Sequence, residues 1–158
     1  ALQLSRMAAS PPAQVLSDVD QDVFFRYGHR LEPHIGRRAK HFFNETQRVH
    51  AGLAAWDKGL IEEFGRLMSE SCKSSIEQYE CGVQAIYDLQ QIVNAADGVL
   101  GSRFMGGGFG GCVVGFVKSS HAPVVVADIQ ASYRKLHPEV AAQAAVYLAQ
   151  SDDGVRFL

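Results

Sequence analysis

The chain has almost no net charge, no long apolar run and no paired cysteines, and each absence removes a class of function. Fifteen lysines and arginines stand against 17 aspartates and glutamates over 158 residues, a net charge of −2. Neither the basic footprint of a nucleic-acid binder nor that of a membrane-surface protein is present. No apolar stretch reaches the length of a bilayer span, and the first residues run, mixed, into Ser10-Pro11-Pro12 without a signal-peptide pattern. A cytoplasmic protein is the expectation. Cys72, Cys81 and Cys112 are odd in number and form no C-x-x-C pair, which argues against a zinc site and a disulfide framework. They read as reduced and buried. His29, His34 and His41 recur too irregularly for a metal site, so no metal ligand is expected in the chain. With 47% hydrophobic and 20% charged residues, the chain can bury one proper core and is neither disordered nor repetitive.

What the chain has in excess is glycine, in one place. Between Gly101 and Val117, glycine occupies 106, 107, 108, 110 and 111, and the runs on either side read as strands. Glycine reaches positive φ at no steric cost but loses the most entropy on folding, so this density points to a loop whose backbone N–H groups something approaches closely. Gly106, Gly108 and Gly111 match G-x-G-x-x-G, yet the dinucleotide fingerprint opens a helix and Cys112 to Val117 is strand-like. Adding Val113 matches the protein-kinase glycine loop, but no V-A-I-K, H-R-D or D-F-G element accompanies it. A Walker A loop needs Gly-Lys-Ser/Thr, which is missing. Two readings stay open: a phosphate-approaching loop, and a tight bulged hairpin with no ligand.

Periodicity places the remaining elements. Residues 35, 39, 42, 46, 49, 53 and 56 step by four and three, one face of a long helix that stops at Lys58-Gly59. A second helix carries Glu62 and Glu63 in its first turn and turns Ile61, Phe64, Met68 and Cys72 inward; Lys73 to Glu80 reads as a polar link. A third runs from Cys81 to Ala96 with Ile86, Leu89, Val93 and Ala96 inward. Strands follow at Val99 to Phe104 and Cys112 to Val117, then a helix from Pro123 with the stripe Val125, Ile129, Tyr133 and Leu136. A last hairpin is expected from Ala145 to Gln150 and Val155 to Leu158, and no element is expected in the first 20 residues. Helices first and strands later predict α+β with a largely antiparallel sheet packed against helices. Trp56 and the Phe42-Phe43 pair fit core packing.

The stretch Gly98 to Cys112, with its Gly-Ser-Arg-Phe-Met-Gly-Gly-Gly-Phe-Gly-Gly-Cys, resembles the third signature of the galactokinase branch of the GHMP sugar kinases. Gly36-Arg-Arg-Ala-Lys-His41 resembles the R-R-A-R-H helix start of that branch, Glu63 to Ser71 its F-G-R-L-M-x-E-S string, and Val146 to Gly154 its terminal strand and turn. All four occur in the same order. The Ser74-Ser75-Ile76, Tyr79-Glu80-Cys81-Gly82 and Arg26 to His34 strings depart from galactokinases and look more like the galacturonokinase group.

The resemblance implies a ferredoxin-like C-terminal kinase domain over 35–158, with 1–34 leading in from an N-terminal half. It implies ATP, Mg2+ and a sugar, galacturonate or galactose, phosphorylated at its anomeric hydroxyl. The second phosphate signature, the early sugar signature and the catalytic aspartate of the family lie in its N-terminal domain and have no counterpart here. This chain therefore reads as inactive alone, partnered by its own N-terminal kinase domain, with no catalytic residue of its own. Gly106, Gly107, Gly108, Phe109, Gly110 and Gly111 would lie near the nucleotide phosphates, with Arg103, Glu80 and Ser75 as substrate-proximal candidates. Glu80 has a plainer alternative as a cap of the third helix. The cations from Arg26 to His41 read either as a phosphate or uronate patch or as a solvated helix face. Beside the kinase stands a second hypothesis, a freestanding α+β binding domain.

Overall fold

A computed structural model describes residues 1–150. Seven helices and two strands follow in the order α1 (Leu2–Met7), α2 (Gln21–Tyr27), α3 (Pro33–Asp57), α4 (Ile61–Glu77), α5 (Gln84–Ala95), β1 (Val99–Phe104), β2 (Val113–Val117), α6 (Ala122–Leu136) and α7 (Pro138–Ala141). The architecture is α+β: helices packed on an antiparallel pair of strands. Val99 pairs with Val117 and Phe104 with Val113, with an irregularity between Val99 and Gly101. Across one face of β1 lies α4, and α5 also packs on that strand.

The long helix α3 starts with Pro33 in its first turn and ends at Lys58, just before Gly59 in the left-handed region. Its first half is buried only in part along the expected stripe: Ala39 is buried and Phe42 half-buried, while Ile35 and Thr46 are exposed. Ala39 and the off-stripe Phe43 join Leu4, Ala13, Val19 and Phe24 in one core cluster. Phe24 and Phe43 stack at 4.6 Å. The second half of the stripe is exposed: Val49 and Leu53 are each 59% exposed and Trp56 55%. Trp56 is thus no core residue, although its ring meets Phe64 edge-on at 5.1 Å.

Two expectations about chain ends change. The first 20 residues carry helix α1 and a short 3-10 turn at Leu16–Asp18, because Leu4 is fully buried against the α2 and α3 aromatics and that burial stabilises a six-residue helix that propensity alone would not. Residues 145–150 form no strand, while 151–158, the other half of the expected hairpin, lie outside the described residues.

The expected link from Lys73 to Glu80 is mostly helix, since α4 continues to Glu77. Its serines do not break it. The Ser75 hydroxyl donates to the Ser71 carbonyl at 3.0 Å, and the Ser74 hydroxyl lies 2.9 Å from His41 Nδ1, so both are satisfied while buried. In α4 Cys72 is buried as expected, Phe64 and Met68 are half-buried and Ile61 is exposed, and Gly65, Leu67, Ser71, Ser74 and Ser75 complete the buried face. Beneath the sheet, Cys72, Ile86 and Phe104 form one cluster and Val93, Val125 and Ile129 another. Each such aliphatic or aromatic side chain contributes about 1.5–3 kcal/mol by leaving water. Cys112, expected to be buried, is exposed, because it closes the glycine loop before β2 begins.

Candidate functional site

The glycine loop is closed at its base by the Met105 N–H, which donates to the Cys112 carbonyl at 2.9 Å. Within it the glycines divide into two kinds. Gly108 is buried at φ +79°, and a Cβ there would sit 2.9 Å from the Phe104 ring and 3.0 Å from Gly82 Cα. Its carbonyl accepts from the Val83 N–H at 3.0 Å. Gly106 and Gly110 also have positive φ, but nothing lies within 4 Å of the place where their side chains would begin. Phe109 is 69% exposed, and a Cβ at Gly107 would meet only its ring. So the loop has one tethered point and an open outer edge. Gly110 and Gly111 also border a cavity of about 530 Å³ with Val83, Ile86, Tyr133 and Val140.

The tether leads to the turn after α4. Glu80 has φ +62°, and it does not cap α5, whose N-cap is Val83. Arg37 Nη2 donates to its Oε1 at 2.6 Å and Arg38 Nη2 to its Oε2 at 3.0 Å. The hydrogen bond from Arg37, ahead of its charge and those of Arg38, holds the carboxyl below the ordinary glutamate range. Glu80 is therefore a clamped carboxylate and not a free one. Beside it, Tyr79 packs on His41 with ring centroids 5.1 Å apart. Burial, followed by the Arg48 and Arg103 charges, pulls His41 below its usual value. Two of the cations read as a patch thus serve an internal contact, and the matching strings at 36–41 and 79–82 meet in space.

Arg103 stands on β1. Its Nη1 donates to the Ser71 hydroxyl at 2.8 Å, which donates in turn to Glu45 Oε2 at 2.6 Å; Glu45 also pairs with Arg48. This chain of polar groups forms the floor of a cavity of about 380 Å³ whose walls include Val49, Leu53, Leu67 and Met68. Ser75 lies buried within α4 with its hydroxyl spent on the helix, so the structure brings together neither Ser75 with Arg103 nor Glu80 with Arg103 through any hydrogen bond. Glu45, Arg48 and Ser71 were not legible as a group, because Ser71 closes the Glu63 to Ser71 string on α4 while Glu45 and Arg48 lie on α3 outside any of the matched strings. Among the described residues no three His, Cys, Asp or Glu side chains lie together to hold a metal ion, and no helix is long and apolar enough to cross a membrane.

Comparison with known proteins accords with this geometry. The family described as GHMP kinases C terminal matches residues 53–135. A galacturonokinase from Arabidopsis thaliana is 42% identical over 126 residues, 80% of this chain and 30% of the relative. A galactokinase from Roseiflexus sp. strain RS-1 is 34% identical over 145 residues, 92% and 36% of the two chains, and that of Bos taurus is 40% identical over 122, 77% and 29%. The chain thus spans about a third of the length of these curated relatives. Lactococcus lactis galactokinase, solved in complex with galactose, superposes with a TM-score of 0.74 at 25% identity over 85% of this chain and 35% of that one. The family match covers α4, α5, the whole glycine loop and most of α6, the elements that position the site, and the chain belongs to the GHMP kinases as their C-terminal domain.

Proposed function

We propose that this chain is the C-terminal part of an ATP-dependent sugar 1-kinase that phosphorylates the anomeric hydroxyl of galacturonate or galactose. The observation that carries the reading is the divided glycine loop: Gly108 is tethered beneath, while Gly106 and Gly110 face open space where a phosphate can come against the backbone. The donors present fit a phosphate group. They do not fit magnesium, since no carboxylate set assembles among the described residues. The chain's own part is then to hold the loop and help exclude water from the phosphates. The groups that orient the sugar hydroxyl and neutralise the transferred phosphoryl belong to an N-terminal kinase domain, with 1–34 as the lead-in and 35–158 as the C-terminal domain.

That N-terminal domain is also the cover we assign to the exposed α3 face at Val49, Leu53 and Trp56. The cytoplasm is the proposed setting, on the three unpaired cysteines. Galacturonate is the preferred sugar, on the Ser74-Ser75-Ile76 and Tyr79 to Gly82 strings and the 42% identity to a galacturonokinase. The test is kcat/KM of the complete gene product for both sugars with magnesium ATP. Preference for galacturonate is expected; preference for galactose overturns the sugar assignment, and no turnover with either leaves a binding domain as the reading.

A further inference from the structure

We infer that Glu80 is a positioning residue for the glycine loop: Arg37 and Arg38 hold its turn in the left-handed region, and that turn delivers the Val83 N–H to the Gly108 carbonyl. Glu80 and Ala9 are the only non-glycine residues with positive φ among those described. A side chain bearing a Cβ persists there only when its surroundings over-determine it, and glycine would take φ +62° freely. The compensation is visible, because each carboxylate oxygen has its own guanidinium, both from the first turns of α3. Downstream the turn is fixed again: the Cys81 N–H donates to the Ser75 carbonyl at 3.1 Å and the Tyr87 hydroxyl to the Cys81 carbonyl at 2.6 Å. Three residues later comes Val83, whose N–H grips Gly108, with Gly82 Cα filling the space a Gly108 side chain would need. The clamp therefore fixes the one inner point of a loop whose outer edge is otherwise unsupported.

The first arm of the test needs no ligand. Amide hydrogen exchange of the 158-residue chain should show Val83 protection falling about three- to tenfold in Glu80→Gln, the range two exposed ion pairs can supply, with the α6 core amides around Ile129 unchanged. Raising salt should lower Val83 protection in the wild type and leave Glu80→Gln flat, which a purely steric role for the side chain does not produce. With Glu80 intact, Arg37→Lys together with Arg38→Lys should keep part of the protection that Glu80→Gln loses. If Glu80→Gln does not fold, Arg37→Gln, which keeps one guanidinium, carries the same comparison. Unchanged Val83 protection in the folded variant overturns the inference. The second arm rests on the proposed kinase reading: in the complete gene product, Glu80→Gln should raise the nucleotide KM severalfold with kcat changed less. A product without kinase activity would defeat that reading while the exchange arm still decides the clamp; a lost Val83 tether with unchanged nucleotide KM overturns the loop's link to the nucleotide.

Discussion

Gly65 of α4 and Gly101 of β1 lie backbone against backbone: a side chain begun at Gly101 would run into the Gly65 carbonyl, and one begun at Gly65 into the carbonyl of Leu100. Neither has positive φ, so both are required by closeness alone. Alanine at 65 would gain about 1 kcal/mol of helix propensity. The clash is with backbone, which cannot rotate away, and overpacking of that kind costs about 1–3 kcal/mol or more. The clash wins, and Gly65→Ala is expected to lower the urea midpoint. An unchanged or raised midpoint would show that α4 slides on β1 without cost.

Two glycines of the loop should separate stability from function. Alanine at Gly108 meets both positive φ and the Phe104 ring, whereas at Gly106 it meets only φ +76°. Gly108→Ala is expected to destabilise the chain by about 2–4 kcal/mol, combining strain and overpacking, and Gly106→Ala by about 1 kcal/mol. In the complete gene product Gly106→Ala should weaken nucleotide binding out of proportion to that small loss, as read by calorimetric titration. Equal stability losses for the two variants would remove the distinction between anchor and open edge.

Acidification should weaken the fold through His41. Burial and the neighbouring arginines hold it below its usual 6.5, so between the two values the unfolded chain binds more protons than the folded one. Its contribution is fully present above about pH 6.5 and is lost as pH falls through the folded value. The urea midpoint is expected to drop from about pH 7.5 to about 5.5, and His41→Gln, which can still meet the Ser74 hydroxyl, should flatten that drop. A slope in the variant as steep as in the wild type would assign the effect elsewhere.

The α3 face should make the isolated chain sticky. Val49, Leu53 and Trp56 sit on one exposed stripe beside Leu60 and Ile61. Sedimentation velocity is expected to show concentration-dependent association, reduced by Val49→Gln together with Leu53→Gln. A monomer at all concentrations would mean the stripe is too small to drive association.

The 158-residue chain is expected to show no sugar-dependent ADP release with magnesium ATP, and to regain turnover on mixing with a separately expressed N-terminal half. Phosphoryl transfer needs its groups assembled around one γ-phosphate, and on the proposed reading the described residues supply the glycine loop alone. Turnover by the chain alone would sink the division of labour.

Several elements were legible in the sequence because they rest on local properties. Of the stripe Val125, Ile129, Tyr133 and Leu136 the first three are buried as the spacing predicts while Leu136, at the helix end, is exposed, and β1 and β2 fall where the apolar runs flank the glycines. The misreadings share a cause. The end of α4 depends on His41 reaching Ser74 from another helix, and α1 on Phe24 and Phe43 receiving Leu4. The α3 stripe continued smoothly into Trp56, but periodicity says which face is apolar and not whether anything covers it.

The sequence by itself determined that a glycine loop stands between two strands behind a set of amphipathic helices, since steric freedom and helical period are carried residue by residue. Only the tertiary structure decided which glycine is the anchor, that Glu80 is clamped and not free, and that Arg103 turns to Ser71 and Glu45. Arg37 and Glu80 are 43 residues apart and Arg103 and Ser71 32 apart, and a contact at that separation depends on how helices pack, which no local pattern of residues encodes.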